Sequence, residues 1–282
     1  MKEFRTITTA EANKMLIKMM PLVVMTASLL LVGCNNNQLP KAPEETVPPT
    51  PLEETVPPKV PEKTVLPNSP SSFYMAKKLL YETVHRGHRK TFYCGCTFSE
   101  KRKVDTAGCG VSARKNEKRS KRVEAEHVFP ASHFGQHRQC WREKLCTDSH
   151  GKAYGGRRCC EKIDPSFEAA HNDLHNLQPA VGEINGDRSN FRFGTVNAEP
   201  RNYGSCDFEV DFKTDRAEPS VNVQGDIART YFYMRDMYNI NLSSQQTKLF
   251  EAWNKIDPVD AWERERNARI KKIQGIGNKY IE

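Results

Sequence analysis

Cysteine content is the feature that most limits how this 282-residue chain can fold. Nine cysteines occur, and an even set of eight lies in the middle of the chain: Cys94, Cys96, Cys109, Cys140, Cys146, Cys159, Cys160 and Cys206. In an exported chain such a set forms disulfides, each adding roughly 2–4 kcal/mol of stability. Zinc is the weaker alternative, because the spacings match the usual Cys-x2-Cys knuckle poorly. We expect up to four disulfides and leave their pairing open, since eight cysteines allow 105 pairings.

The ninth cysteine, Cys34, follows an apparent export signal. Lys14 and Lys18 precede an apolar run of about 12 residues over 21–32, whereas a bilayer span needs roughly 20 residues. The run ends in Leu-Val-Gly-Cys at 31–34, which resembles the lipobox of bacterial lipoproteins. The alternative is that Cys34 is an ordinary disulfide cysteine. We expect residues 1–33 to be a signal peptide and Cys34 to carry lipid at the outer membrane, on its periplasmic or its surface face.

A tether and a basic domain follow the predicted lipid site. Residues 34–70 repeat Glu-Glu-Thr-Val-Pro-Pro at 44–49 and 53–58, which predicts an extended polyproline-like spacer. Residues 71–282 then carry the whole net charge of +8. Between His85 and Arg122 there are 12 Lys or Arg against three acids. That run is either a solvated surface or a patch that tracks the backbone of a polyanion.

Apolar spacing in the last third of the chain predicts three helices. They span 225–239, from Ser243 or Ser244 to Ile256, and from Asp257-Pro258 to Gly275. Strand patterns are short, at 122–129, 191–196 and 206–212. The fold class is therefore predicted to be α+β, mostly helical, in a single disulfide-bonded domain over 71–282.

Two polar segments carry the candidate chemistry. Glu126 and His127 are adjacent at the end of a predicted strand, and 164–177 is predicted to be one capped helix that places Asn172 and Asn176 one turn apart. Carboxylate and amide oxygens suit Mg²⁺, with Ca²⁺ or Mn²⁺ as alternatives, and a neutral His can take a proton from water. Each residue alone is weak evidence, because Glu-His pairs and helical Asn residues are common without a function.

Many segments, in one colinear order, resemble the bacterial endonuclease I family. They include Val-Glu-Ala-Glu-His-Val-Phe-Pro (123–130), Gly-Lys-Ala-Tyr-Gly-Gly-Arg-Arg-Cys-Cys-Glu-Lys (151–162), Asp-Leu-His-Asn-Leu-Gln-Pro-Ala-Val-Gly (173–182), Asn-Gly-Asp-Arg-Ser-Asn (185–190) and Gly-Asp-Ile-Ala-Arg-Thr-Tyr-Phe-Tyr-Met (225–234). The resemblance implies a ββα-metal nuclease core, in which a β-hairpin and a helix hold one divalent ion.

The same resemblance implies roles for individual residues. By motif position, His127 resembles the general base, and Glu126 and Asn176 resemble the metal ligands. A carbonyl near Glu161 would orient the imidazole. An arginine would clamp the scissile phosphate, and the candidates are Arg142, Arg158 and Arg188.

These observations together predict a lipid-anchored, extracytoplasmic, Mg²⁺-dependent endonuclease that cuts DNA and RNA into products with 5′-phosphates. It would contact the phosphate backbone with little sequence specificity and act as a monomer. Two other classes remain open. One is a non-catalytic nucleic-acid-binding surface lipoprotein, and the other is a basic, disulfide-rich adhesin or structural lipoprotein. The biological role is left open.

Overall fold

The computed structural model describes residues 66–281. The predicted signal peptide, the lipid site at Cys34 and most of the predicted tether lie outside the described residues. The last residues of that tether do fall within them: Pro67 and Pro70 are buried, and the Asn68 amide donates to the carbonyl of Gln274. Over 66–281, no helix is both long and apolar enough to cross a bilayer.

Short strands and mostly short helices alternate along the described chain. The strands are β1 (Val123–His127), β2 (Cys146–Thr147), β3 (Ala153–Tyr154), β4 (Leu177–Val181), β5 (Arg192–Phe193), β6 (Phe208–Asp211) and β7 (Arg216–Pro219). The helices are α1 (Phe73–Leu79), α2 (Glu117–Ser120), α3 (Ala131–Gly135), α4 (Gln139–Arg142), α5 (Arg157–Ile163), α6 (Pro165–Asn172), α7 (Gly182–Arg188), α8 (Gln224–Tyr238), α9 (Ser244–Ile256) and α10 (Ala261–Gln274). A π-helical turn (Leu80–Val84) continues α1, and 3₁₀ turns occupy Leu174–Asn176, Val221–Val223 and Lys279–Ile281.

The predicted ββα unit is formed by β1, β4 and α7. The two strands pair antiparallel, with Val123 opposite Val181 and His127 opposite Leu177. Helix α7 follows β4 directly and returns beside β1, where the Gly182 amide donates to the Arg122 carbonyl. Only glycine fits at this contact, because a Cβ on Gly182 would lie 2.7 Å from the Arg119 carbonyl oxygen. The end of β1 and one face of α7 therefore meet at a single place.

A separate three-stranded sheet has the order β5-β7-β6, with β5 parallel to β7 and β6 antiparallel to it. Aromatic side chains from this sheet, from α8 and from α9 pack together in the core. The Tyr231 ring centre lies 4.3 Å from that of Phe250 and 4.5 Å from that of Phe129. The core thus joins the helical end of the domain to the loop that follows β1.

All eight candidate cysteines form disulfides, as predicted. The pairs are Cys94–Cys206, Cys96–Cys109, Cys140–Cys160 and Cys146–Cys159. Two of them fasten α5 to the preceding segment, and Cys94–Cys206 closes the longest loop, with a sequence separation of 112. No free thiolate remains among these eight, so the zinc alternative is wrong for them.

The α+β class, the three short strands and the helices α8 and α9 are confirmed, with Ser243 as the N-cap of α9 and Gly275 as the C-cap of α10. The predicted start at Asp257-Pro258 is wrong. Helix α10 begins at Ala261, because Asp260 and Glu263 form a capping box there. Asp257 instead accepts from the Gly225 amide at 2.8 Å.

The single helix predicted over 164–177 is also wrong in its second half. Helix α6 ends at Asn172. Asp173 then caps a 3₁₀ turn by accepting from the His175 amide, and the chain enters β4 at Leu177. Asn172 and Asn176 therefore do not share a helical face.

Candidate active site

A cleft of about 580 Å³ opens where β1, α5 and α7 meet. The residues used below that line it are Phe73, Glu126, His127, Arg157 and Asn185. Strand β1, paired with β4, supplies Glu126 and His127. Helix α7 lines the opposite side of the cleft through Asn185.

His127 is buried, with 8% of its surface exposed. Its Nε2 lies 2.8 Å from the carbonyl oxygen of His171. Because a carbonyl can only accept, this contact assigns the ring proton to Nε2 and leaves Nδ1 unprotonated. Nδ1 makes no hydrogen bond to any residue in 66–281. The ring also stacks on Phe73, with centres 5.2 Å apart. These contacts present a fixed lone pair at the cleft.

Burial lowers the pKa of His127 well below its usual value, and the nearby His171 and Arg157 lower it further. The imidazole is therefore neutral at pH 7 and able to accept a proton.

The orienting carbonyl belongs to His171, which corrects the prediction of a carbonyl near Glu161. Glu161 acts one step away: its carboxylate lies 3.3 Å from Nε2 of His171. The carbonyl comes from His171 because the end of α6 packs against His127. Glu161 on α5 contacts the His171 side chain instead.

Glu126 offers one oxygen to the cleft and uses the other for support. Its Oε1 accepts from the Tyr93 hydroxyl at 2.7 Å and from Nη1 of Arg188 at 2.8 Å. Its Oε2 makes no hydrogen bond within the described part of the chain. Burial raises the pKa of this carboxyl, while Arg188 and Tyr93 act in the opposite direction. A cation at Oε2 would further favour the ionised form.

Arg188, one of the three predicted candidates for the phosphate clamp, is not placed to contact a phosphate. It is fully buried, and besides Glu126 it donates to the carbonyls of His127 at 2.8 Å and Val128 at 2.6 Å. Its guanidinium also lies 4.4 Å from the Phe193 ring centre. It therefore supports the end of β1 from beneath and has no exposed donor for substrate.

Asn176, the predicted metal ligand, is likewise inside the protein. Its side chain is fully buried, its Oδ1 accepts from the Phe129 amide at 2.7 Å, and its Nδ2 donates to the Phe129 carbonyl at 3.0 Å. The amide thus pins the chain just beyond β1 and does not line the cleft. Asn172 is also engaged, because it donates to the Pro70 carbonyl.

Asn185 lines the cleft, whereas the predicted ligand Asn176 does not. Asn185 lies on α7, is half-buried, and lines the same cleft as Glu126 and His127. Its Nδ2 donates to Glu124 at 2.9 Å, which turns the amide, and its Oδ1 makes no hydrogen bond to a described residue. Among the residues that line the cleft, Glu126 and Asn185 thus each keep one side-chain oxygen, Oε2 and Oδ1, without a hydrogen bond to a described residue. This hard-oxygen set fits Mg²⁺.

Two arginines line the cleft: Arg119, which pairs with Glu124 at 2.8 Å, and Arg157, which the sequence reasoning missed. Arg157 is exposed, lines the cleft, and makes no ion pair or hydrogen bond with residues 66–281. Arg142 is exposed on α4 and does not line the cleft, and Arg158 lies over the Tyr154 ring at 5.0 Å. The doublet Arg157-Arg158 was visible in the sequence, but which member points to the hairpin depends on how α5 is oriented.

Much of the basic run between His85 and Arg122 is neutralised locally. Five of its cations form ion pairs, among them Arg114 with Asp187 and Arg119 with Glu124, both at 2.8 Å. The solvated-surface interpretation therefore holds for part of this run.

Away from the cleft, oxygens of Glu199, Asp207 and Glu209 lie within 4.8 Å of one another. Arg201 pairs with two of these carboxylates, so the cluster already has a countercharge.

Comparison with known proteins identifies the family of the chain. The Endonuclease I family matches residues 71–282. The chain belongs to the endonuclease I family. As a member of this family it is a hydrolase of the nuclease class. Nucleases of the endonuclease I family are in general metal-dependent.

Named relatives of this endonuclease I come from several bacteria. A "Periplasmic deoxyribonuclease" of Aeromonas hydrophila is 46% identical over 203 residues, covering 71% of this chain and 81% of the relative. An "Endonuclease-1" of Buchnera aphidicola is 44% identical, covering 74% of this chain and 80% of the relative. An "Extracellular ribonuclease" of Bacillus subtilis is 35% identical over 133 residues, covering 39% and 43%.

Proposed function

We propose that this chain is an exported Mg²⁺-dependent endonuclease that hydrolyses DNA and RNA with little sequence specificity. The observation that carries the proposal is one cleft that holds an unprotonated imidazole nitrogen on His127, two free oxygen donors on Glu126 and Asn185, and an unpaired arginine, Arg157. These are the groups that phosphodiester hydrolysis needs: a base, a metal seat and a phosphate clamp.

The reaction follows from where these groups lie. Nδ1 of His127 removes a proton from water, and the water oxygen attacks phosphorus in line with the 3′-oxygen. The phosphorus–O3′ bond breaks and the departing 3′-oxygen takes a proton from solvent, which leaves a 5′-phosphate and a 3′-hydroxyl. The His171 carbonyl holds the ring during proton transfer, and Arg157 binds a non-bridging oxygen. Glu126 and Asn185 would hold Mg²⁺, which would stabilise the developing negative charge.

The substrate class rests on charge and on the relatives. The domain carries a net charge of +8, and contacts to phosphate carry no sequence information. The named relatives include a deoxyribonuclease that matches most of the chain and a ribonuclease that matches a shorter part. We infer that DNA is the main substrate and that RNA is also cut.

Export rests on the four disulfides, which form in oxidising compartments, and on the periplasmic and extracellular names of the relatives. The lipobox-like text at 31–34 supports a lipid anchor on Cys34. We further infer that the enzyme acts as a monomer at the membrane surface.

The test is a plasmid-nicking assay on purified protein, with and without EDTA and with His127→Ala beside the wild type. We expect cutting that needs Mg²⁺, product ends that carry 5′-phosphate, and almost no cutting by the variant. Salt-sensitive DNA binding without cutting would instead support the non-catalytic lipoprotein. If the protein neither binds nor cuts DNA, that result would support the adhesin or structural alternative.

A further inference from the structure

A second cleft lies beside the catalytic one and also measures about 580 Å³. Its walls come from the three-stranded sheet and from the start of α9, and they include Arg192, Arg216, Thr214 and Ser243. None of the groups assigned to catalysis above lines it.

Two arginines on this cleft are direct neighbours. In the parallel pairing of β5 with β7, Arg192 stands opposite Arg216, while the next pair, Phe193 and Ala217, is buried. Side chains at paired positions leave a sheet on the same face. The two guanidiniums therefore emerge side by side from the sheet.

Neither arginine has a countercharge among the described residues. Both are exposed, and neither forms an ion pair or a side-chain hydrogen bond within 66–281. Asp215 also lines the cleft but pairs with neither of them. Like charges at directly opposed positions destabilise a sheet, so this arrangement costs stability unless an anion lies between the two groups.

The surroundings also favour an anion. The Arg216 guanidinium lies close to the backbone just after β5: its Nη1 is 2.8 Å from the place where a Cβ on Gly194 would be. The 13-residue helix α9 begins at the cleft, with Ser243 as its N-cap. The partial positive charge of that helix end adds to the field of the arginines.

The second cleft and the catalytic one share a wall residue. Asn190 lines both, and its Nδ2 donates to Oγ of Ser132 on the catalytic side at 3.3 Å. His133, the next residue after Ser132, lines the second cleft.

We propose that this second cleft, centred on Arg192 and Arg216, binds the sugar-phosphate backbone of the substrate strand beside the scissile bond. The inference rests on the proposed nuclease function and adds a site to it. The subsite makes no contact with the reacting phosphorus, so it contributes to affinity and not to chemistry.

The test compares the double variant Arg192→Ala/Arg216→Ala with Arg264→Ala/Lys272→Ala, which removes the same charge from exposed positions on α10. Binding of a fluorescein-labelled 16-nucleotide DNA strand is followed by anisotropy in EDTA across a series of salt concentrations. Cleavage of the same strand in Mg²⁺ gives kcat and KM.

We expect the cleft variant to bind about tenfold more weakly near physiological salt, consistent with two charge-assisted contacts discounted for screening. The slope of log affinity against log salt should fall by about 1.4, which corresponds to two phosphate contacts on a single strand. KM should rise by a similar factor while kcat stays within twofold, and the α10 control should behave as wild type.

Binding, salt slope and KM equal to those of the control would overturn the subsite. A fall in kcat with unchanged affinity would also overturn it. Failure of the nuclease proposal is separate, because it appears as a wild type that binds in EDTA but does not cut in Mg²⁺.

Discussion

Alanine at position 176 and alanine at position 185 are expected to damage this enzyme in different ways. Both atoms of the Asn176 amide bind the Phe129 backbone in the core. Its truncation leaves one N–H and one C=O unpaired, at about 1–3 kcal/mol each. The combined loss of about 2–6 kcal/mol is a large share of a typical unfolding free energy of roughly 5–15 kcal/mol. At about 2–4 °C per kcal/mol for a domain of this size, Tm should fall by roughly 5–20 °C.

Asn185→Ala should leave the fold almost intact. The residue is half-buried on α7 and gives up one hydrogen bond to Glu124, worth about 1 kcal/mol, while alanine favours the helix. Tm should therefore change by less than about 4 °C. Metal affinity and kcat should fall instead, because one of the two oxygen donors is lost. Asn185→Asp keeps an oxygen in place and should retain metal binding.

The assays are differential scanning fluorimetry for Tm, calorimetric titration of the EDTA-stripped protein with Mg²⁺ or Mn²⁺, and plasmid nicking. The reasoning is refuted if Asn176→Ala keeps the wild-type Tm and loses metal binding while Asn185→Ala titrates like wild type. That outcome would restore the ligand that the sequence alone predicted.

Further predictions follow from the same contacts. His127→Ala should stay folded, with a Tm lowered by the lost contact to the His171 carbonyl, and should lose about 10²–10⁴-fold in kcat; wild-type cutting would remove His127 from the base role. Arg157→Ala should raise KM and lower kcat at unchanged metal affinity, since Arg157 lines the cleft without a partner; equal kinetics would mean that it does not touch the phosphate. Burial lowers the pKa of His175 to about 4, so the unfolded state binds a proton first as the pH falls. The unfolding free energy should decrease from about pH 6.5 to pH 4, by up to about 1.4 kcal/mol per pH unit for this residue. In His175→Gln the urea-denaturation midpoint should change less with pH over that window than in the wild type. An identical pH dependence in the two proteins would contradict this. Loss of the Cys94–Cys206 disulfide should cost about 4–5 kcal/mol for its long loop, seen as a lower Tm of Cys94→Ser/Cys206→Ser than of the wild type, and an unchanged Tm would contradict a structural role.

Local patterns predicted those parts of the fold that depend on neighbours in the chain. Ser243 caps α9 and Gly275 ends α10, because a cap satisfies backbone groups only a few residues away. The prediction at 164–177 was wrong for a related reason. Apolar spacing continues through that segment, but Asp173 turns the chain and Leu177 pairs with His127 in the hairpin, a partner that periodicity cannot identify.

The candidate site divides in the same way. Glu126 and His127 could be chosen from the sequence because they are adjacent and lie at a strand end. The choice between Asn176 and Asn185 could not, since both follow β1 at plausible distances and only burial separates them. Arg188 looked like a clamp because it is a cation near the motif. It is a support because it reaches Glu126, 62 residues earlier in the chain.

By itself, the sequence predicted the number of sulfur bridges, the sign of the charge, the caps Ser243 and Gly275, and the residue proposed to remove the proton, because each depends on composition or on groups a few positions apart. The tertiary structure alone decided which cysteines pair, which asparagine and which arginine reach the cleft, and that two arginines stand side by side beside it. Those outcomes depend on which side chains lose their water when segments far apart in the chain pack together, and the free energy of that burial is a property of the assembled fold.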